Sequence, residues 1–299
     1  MSSKVLAGPP VLRFAPSPNG LLHLGHAYSA LCNERVAEEL NGRLLLRIED
    51  LDRTRCKPRY EAAIADDLAW LGLRFEAPAR RQSEHAGDYA AALDALAAQD
   101  LVYPCFCSRA EVARASSGRD PDGAPLYSGA CRALSASQAA ARIERGEKRA
   151  SRLDMGRAID RVPARLFWRE FGEGSTPVAE AAEPERWGDI VLSGRDLAAS
   201  YHLSVTVDDA LQGVTDVVRG RDLIAATSVH RLLQELLDLP APGYRHHRLV
   251  LDLDGTKLAK RRHSPSLAKF RACGVSPAAI RAALGFGDGD SGGLAVALS

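Results

Sequence analysis

The stretch RFAPSPNGLLHLGH, Arg13 to His26, joins an apolar run, a turn rich in Pro and Gly, and two histidines three residues apart. VLRFA reads as a short buried strand, PSPNG breaks it, and a helix follows as far as Leu40, stopped by Asn41-Gly42. That order puts His23 and His26 at a helix N-terminus, where unpaired N–H groups and the helix dipole favour an anion. Three readings of the pair compete: metal ligands on one helical face, cap histidines without chemistry, or a nucleotide phosphate site. The metal reading lacks a nearby third ligand, and helical zinc pairs stand four residues apart rather than three. Gly20 and Gly25 have the glycine spacing of a P-loop, but His26-Ala27 stands where Lys-Ser/Thr is required. Taken alone, the stretch favours plain cap histidines.

The alternation continues along the chain. RLLLRIED is a second strand, a helix runs from near Pro58 to Leu71 with Pro58 in its first turn, and DYAAALDALAAQD is another helix. After Cys105 the character changes to a loop, RASSGRDPDGAPLYSG. SASQAAARIERGE then restarts a helix, with Ser135 and Gln138 spaced as a capping box. From Asp189 the strand–helix rhythm returns with DIVLSG, YHLSVTVDDAL and DVVRG, followed by the helix SVHRLLQELLDL. This spacing predicts an α/β fold whose parallel, doubly wound sheet is interrupted by an insertion. Beyond residue 240 come a basic loop, a helix opened by Ser276-Pro277, and a Gly/Ser-rich tail from Gly285 with the composition of a disordered end.

With 299 residues, 46% of them hydrophobic, the chain can bury one large core or two modest ones. Basic and acidic residues nearly cancel, 39 against 38, so a nucleic-acid partner would have to be held by a local patch. MSSKVLAGPP lacks the apolar segment of a signal peptide, and no apolar run approaches the roughly eighteen residues of a membrane span, so a cytoplasmic protein without a membrane partner is expected. Six cysteines, at 32, 56, 105, 107, 131 and 273, are too uneven for a disulfide framework. Cys32 and Cys56 read as packing residues. Cys105, Cys107 and Cys131 supply three thiolates for tetrahedral zinc; His85 is the only upstream histidine within reach, and the fourth ligand stays open.

HLGH after RFAPSPNG resembles the HIGH signature of class I aminoacyl-tRNA synthetases in its glutamyl and glutaminyl branch. LLLRIEDLDRTR resembles the branch's LRIEDTD-type strand, VTDVVRGRDL its turn after the second sheet half, and LDGTKLAKRR its KMSKS loop. These matches fall in order from Arg13 to Arg262. YPCFCSR…YSGACR is similar to the zinc-binding stretch of the branch's short, queuosine-directed paralogues. The resemblance implies a Rossmann-type parallel sheet split by a zinc-bearing insertion, with a short C-terminal helical segment. The segments would be 5–104 and 189–240 for the two sheet halves, 105–188 for the insertion and acceptor-binding region, and 241–299 for the KMSKS-like loop, stem-contact helices and tail. It also implies that the chain activates L-glutamate with ATP and Mg²⁺ and transfers it to queuosine in the anticodon stem-loop of tRNA(Asp). The residues after Arg262 are expected to be too few for an anticodon-binding domain.

Activation needs positive groups where charge grows on phosphate oxygens. The helix-start histidines His23 and His26, with Lys257 and Lys260 of the KMSKS-like loop, are the candidates; Ala259 replaces that motif's serine, removing one hydroxyl. Glutamate's two carboxylates call for guanidinium groups and its ammonium for an acid. By resemblance these are Arg13 and Arg219, and Glu49, with Tyr201 adding a hydrogen bond and Arg13, Phe14, Ala15, Pro16 and Ser17 forming the wall. Tyr127 is, by resemblance, the fourth zinc ligand. His246 falls where the branch often has a histidine, and an ordinary edge-strand residue fits the position equally. A nucleotidylyltransferase would share HLGH without needing Glu49 and Arg219, a zinc-ribbon nucleic-acid module would use only the cysteines, and a truncated glutamyl-tRNA synthetase would charge a tRNA 3′ end.

Overall fold

The computed structural model describes residues 8–162, 164–172, 174, 176–251, 265–288, 291, 293, 294 and 296–299. Strand β1 (Val11–Phe14) is buried along its length, as an apolar run without alternation requires. Helix α1 (Leu24–Glu39) follows, and Asn41 ends it with a φ of 48°. The Gly42 N–H then returns to the Ala37 carbonyl at 2.7 Å, and a Cβ on Gly42 would stand 2.7 Å from the Pro10 carbonyl oxygen, so only glycine fits this stop. Strand β2 (Arg43–Ile48) pairs parallel to β1, from Val11 opposite Arg43 to Phe14 opposite Leu46. Helix α2 (Pro58–Trp70) has proline in its first turn, and β3 (Glu76–Arg81) extends the parallel ladder.

Helix α3 (Ala86–Ala97) leads to β4 (Val102–Cys105). Two short helices follow, α4 (Arg109–Ala115) and α5 (Ala136–Glu144), each opened by a capping box: Ser108 with Glu111, and Ser135 with Gln138. Strand β5 (Ala150–Leu153) pairs antiparallel with β4, and α6 (Met155–Arg161) starts on Asp154. Strands β6 (Phe167–Glu170) and β7 (Val178–Ala181) form an antiparallel pair, and β8 (Val191–Ser193) adds to β5. The segment Tyr201–Leu211 is helix α7, capped by Ser200; β9 (Asp216–Gly220), α8 (Ala226–Leu236) and β10 (Gly243–His247) follow.

The main sheet is two ladders, β1-β2-β3 and β7-β6-β10-β9, in which every pair is parallel except β6 with β7. They meet where the Thr215 N–H donates to the Val11 carbonyl at 2.9 Å, beside β1 and β9. Asn33, buried in α1, ties helix to sheet by donating to the Val218 carbonyl at 3.1 Å. One core lies under α1 and α2, around Leu12, Leu31, Ile64 and Leu71; a second, around Leu96, Leu153, Leu192, Leu203 and Leu232, joins α3, α7 and α8 to the small antiparallel sheet. The segment limits at 105 and 188 therefore fall across shared sheets: β8 completes the β4-β5 sheet, and β6 pairs with β10 of the parallel one.

Strand β11 (Val250–Leu251) and helices α9 (Leu267–Ala272) and α10 (Pro277–Ala283) close the described chain. Composition predicted a disordered tail from Gly285, but Ala297–Leu298 forms β12, antiparallel to β11. Leu294, Val296 and Leu298 pack on the first core, so the apolar residues of GGLAVALS outweigh its glycines.

Candidate active site

A cleft of ≈ 760 Å³ opens where the two ladders meet, at the carboxyl ends of β1, β2, β9 and β10. Crevices at such a switch point are the usual ligand sites of open parallel sheets. Arg13, Phe14, Ala15, Pro16, Ser17, His23, His26, Glu49, Tyr201 and Arg219 all line it. Sequence positions spread over most of the chain thus converge on one wall.

His23 is the N-cap of α1: its Nδ1 accepts the Gly25 N–H at 3.1 Å, while His26 Nδ1 accepts the His23 N–H at 3.2 Å. This is a capping box built from histidines, and it fixes both tautomers. With Nδ1 accepting, each neutral ring carries its proton on Nε2 and is an N–H donor there. The rings lie 3.9 Å apart at the dipole-positive end of a helix that borders the cleft. Lys257 and Lys260 lie outside the described residues, as does Ala259. Their described flanks are at the cleft: Val250 lines it, and Ser266 bridges to His23 while the Leu267 N–H donates to the Leu22 carbonyl at 2.8 Å.

At the other end, buried Arg13 donates through Nε to Asp209 Oδ1 at 2.9 Å, and fully buried Arg47 donates to the same oxygen at 2.7 Å. Burial opposes ionisation of Asp209, but Arg13 and Arg47 hold its carboxyl below the usual range. Glu49 Oε1 sits 3.6 Å from Arg47 Nη2, and burial, only partly offset by Arg47 and Arg13, raises its pKa. Arg219 is buried on β9 and donates to His246 Nε2 at 3.2 Å, His230 Nδ1 at 3.1 Å, Thr227 Oγ1 at 2.7 Å, the Leu223 carbonyl at 3.3 Å and Tyr201 Oη at 3.5 Å. This end of the cleft therefore presents two buried guanidinium groups, Arg13 and Arg219, and the acid Glu49, the charge pattern an α-amino dicarboxylate would match.

Several contributors were not singled out in the sequence. Asp208 and Asp209 lie in the otherwise apolar VTVDDAL, and two adjacent acids there were a readable signal for a buried network. Arg55, Lys57 and Arg59 line the cleft and come from the basic run RTRCKPR. Glu170, His202 and His230, which back Arg219, had no local signal. His246 proves to be buried on the central strand β10, not on an edge.

Away from the cleft, the Sγ atoms of Cys105, Cys107 and Cys131 lie within 4.8 Å of one another. Cys107 Sγ stands 3.5 Å from Cys131 Sγ and 3.6 Å from Tyr127 Oη. Thiolates at about 2.3 Å from a tetrahedral cation are about 3.8 Å apart, so the cluster has the size to hold a metal. Tyr127 Oη also accepts the Cys131 N–H at 2.7 Å, and Arg152 lies 4.0 Å from the tyrosine ring centroid. Burial, followed by the hydrogen bonds to the cysteines, holds the phenol well above its usual range, so it too ionises only against a bound cation. Burial, ahead of the neighbouring groups, pushes the Cys107 thiol up to about 11, so deprotonation there requires a bound cation.

A parallel sheet with a charged cleft at its switch point, bordered by a helix N-terminus, is the architecture of a nucleotide-dependent α/β enzyme core. Residues 11–287 match the model for tRNA synthetases class I (E and Q), catalytic domain, and the chain belongs to that family of ligases, among its glutamyl-Q tRNA(Asp) synthetases. The glutamyl-Q tRNA(Asp) synthetase of Rhodobacter capsulatus is 44% identical over 92% of this chain and 99% of its own length. That of Nitratidesulfovibrio vulgaris is 38% identical over 90% of this chain and 83% of its own. The crystal structure of glutamate-tRNA synthetase from Elizabethkingia anophelis superposes with a TM-score of 0.74 at 25% identity, covering 93% of this chain but 61% of that one.

Proposed function

We propose that this protein activates L-glutamate with ATP and Mg²⁺ and transfers it to queuosine in the anticodon stem-loop of tRNA(Asp). The convergence of Arg13, Glu49, Tyr201 and Arg219 with His23 and His26 on one cleft supports glutamate activation. The near-complete coverage of a relative named for queuosine supports the acceptor, whereas the glutamate–tRNA ligase 2 of Nitrosococcus oceani is covered over only 57% of its length. In this reading Arg13 and Arg219 receive the two carboxylates, Glu49 the ammonium, Tyr201 a hydrogen bond, and Phe14 to Ser17 form the wall. His23 and His26 donate from Nε2 to ATP phosphate oxygens, and Lys257 and Lys260 stabilise the charge that grows there. Cys105, Cys107, Tyr127 and Cys131 hold one structural zinc. Segments 5–104 and 189–240 supply the catalytic core, 105–188 the acceptor-facing insertion, and 241–299 the ATP-side loop, in a cytoplasmic enzyme.

The test is ATP–pyrophosphate exchange with and without glutamate, followed by mapping of labelled glutamate on tRNA. Exchange should require glutamate and fall by about a hundredfold or more in Lys260→Ala. Label should appear on an isolated anticodon stem-loop bearing queuosine and not on the same loop bearing guanosine. Label on the 3′-terminal adenosine instead would identify a glutamyl-tRNA synthetase.

A further inference from the structure

Arg219 differs from the other buried arginines of the site in the company it keeps. Arg13 and Arg47 both rest on Asp209, whereas the hydrogen-bond acceptors around Arg219 are two imidazoles, two hydroxyls and a carbonyl. A guanidinium buried without a carboxylate against it is a costly charge, and an anionic ligand relieves that cost. What faces Arg219 from behind is an ordered chain. Its Nε–H donates to His246 Nε2, which makes that nitrogen an acceptor and places the ring proton on Nδ1. His246 Nδ1 meets Glu170 Oε2 at 2.6 Å, and Glu170 Oε1 accepts the His246 backbone N–H at 3.0 Å. The same carboxylate takes the Gly172 N–H at 3.2 Å and the Trp168 Nε1–H at 3.3 Å. Four donors converge on Glu170, a setting that suits only the ionised form, and it is not among the residues that line the cleft.

On the other side Arg219 Nη1 donates to His230 Nδ1, so the His230 proton sits on Nε2, 3.2 Å from His202 Nδ1. Burial and the Arg219 charge keep both rings neutral. The guanidinium is thus gripped on three sides, while its longest contact, 3.5 Å to Tyr201 Oη, links two residues of the cleft wall.

We propose that Glu170, acting through His246, is a positioning residue that fixes the Arg219 fork for the substrate's side-chain carboxylate, so that selection of glutamate over its amide depends on an acid outside the cleft. The proposal rests on the reading of this cleft as a glutamate site. In Glu170→Gln one acceptor oxygen becomes an NH₂ donor. To accept from it His246 must move its proton to Nε2, and N–H then faces N–H at Arg219.

Pyrophosphate-exchange kinetics with glutamate and with glutamine, on the full chain, test this together with ring ¹⁵N spectra of His246. Glu170→Gln should raise the glutamate KM about tenfold or more with little change in kcat, and lower the glutamate-over-glutamine preference by a similar factor. His246→Gln, which can offer an amide oxygen near the Nε2 position, should retain more of both than His246→Leu. The spectra should show His246 protonated on Nδ1, shifting to Nε2 in Glu170→Gln. Unchanged KM and preference in Glu170→Gln would overturn the proposal, as would lower stability or kcat alone, or Nε2 protonation in the unmodified protein. Should the unmodified protein show no glutamate-dependent exchange, the glutamate reading fails, and the ring spectra still decide whether the relay exists.

Discussion

Asp67 shows how a single buried residue can carry its own pH signature. It is fully buried in α2, neither carboxylate oxygen has a hydrogen-bond partner among the described residues, and its nearest cation is Arg271 Nη2 at 3.5 Å. Burial pushes its pKa up to about 6, with Arg271 pulling the other way. A folded-state value above the unfolded one means the native protein binds the proton more tightly, so ionisation costs stability as pH rises from about 4 through 6. Asp67→Asn should raise stability by on the order of 1 kcal/mol at pH 8 and by nothing below about pH 4. Denaturant melts at both pH values check this, and an equal difference at both would refute it. The same residue marks the limit of reading a sequence: nothing in YEAAIADDLAW says which of Asp66 and Asp67 faces α9, a helix some two hundred positions away in the chain. Arg47 is a second case. It stands in the quoted strand motif, but its partners Asp208 and Asp209 lie on α7, and only folding reveals that it supports Glu49.

At the scale of elements, local chemistry was readable wherever the interaction is local. The stop at Asn41-Gly42, the Pro58 start, and the Ser135–Gln138 and Ser276 caps all stand where the residues put them. Strand pairing was not readable, because β8 and β6 find partners whose choice depends on the whole topology. Helix α1 joins both kinds of information. His23 does the work of an ordinary N-cap and is also a candidate phosphate donor, and these roles can be separated. Asparagine Oδ1 can accept the Gly25 N–H as imidazole Nδ1 does, but its NH₂ stops short of the position that Nε2–H occupies. His23→Asn should therefore hold the melting temperature near that of the unmodified protein while exchange falls about a hundredfold. His23→Ala should lose exchange and also about 1 kcal/mol of stability. If His23→Asn retained full exchange, the histidine would be a cap and nothing more.

Across the whole molecule, the cysteine cluster and the cleft are separate in space, and a shared core lies between them. None of the residues lining the cleft comes from 105–188, while the sheet that presents the cysteines contributes Leu153 and Leu192 to the same apolar cluster as Leu203 of α7 and Leu232 of α8. Three thiols around one point, with Phe106 buried beside them, make a small core that depends on what the cysteines bind, since protonated thiols that close together offer little cohesion. A cation there should hold the β4-β5-β8 sheet together and, through the shared leucines, stiffen the helices behind the pocket. The purified protein should accordingly carry about one zinc per chain. Cys131→Ser should lose the metal and unfold at a lower temperature. Below that new transition, glutamate-dependent exchange should persist within a few-fold, because no metal ligand touches the cleft. Metal analysis, thermal melts and exchange on one preparation provide the check. Metal-free protein with an unchanged melt would make the cysteines packing residues, and exchange abolished well below the melt would place the metal in the catalytic machinery.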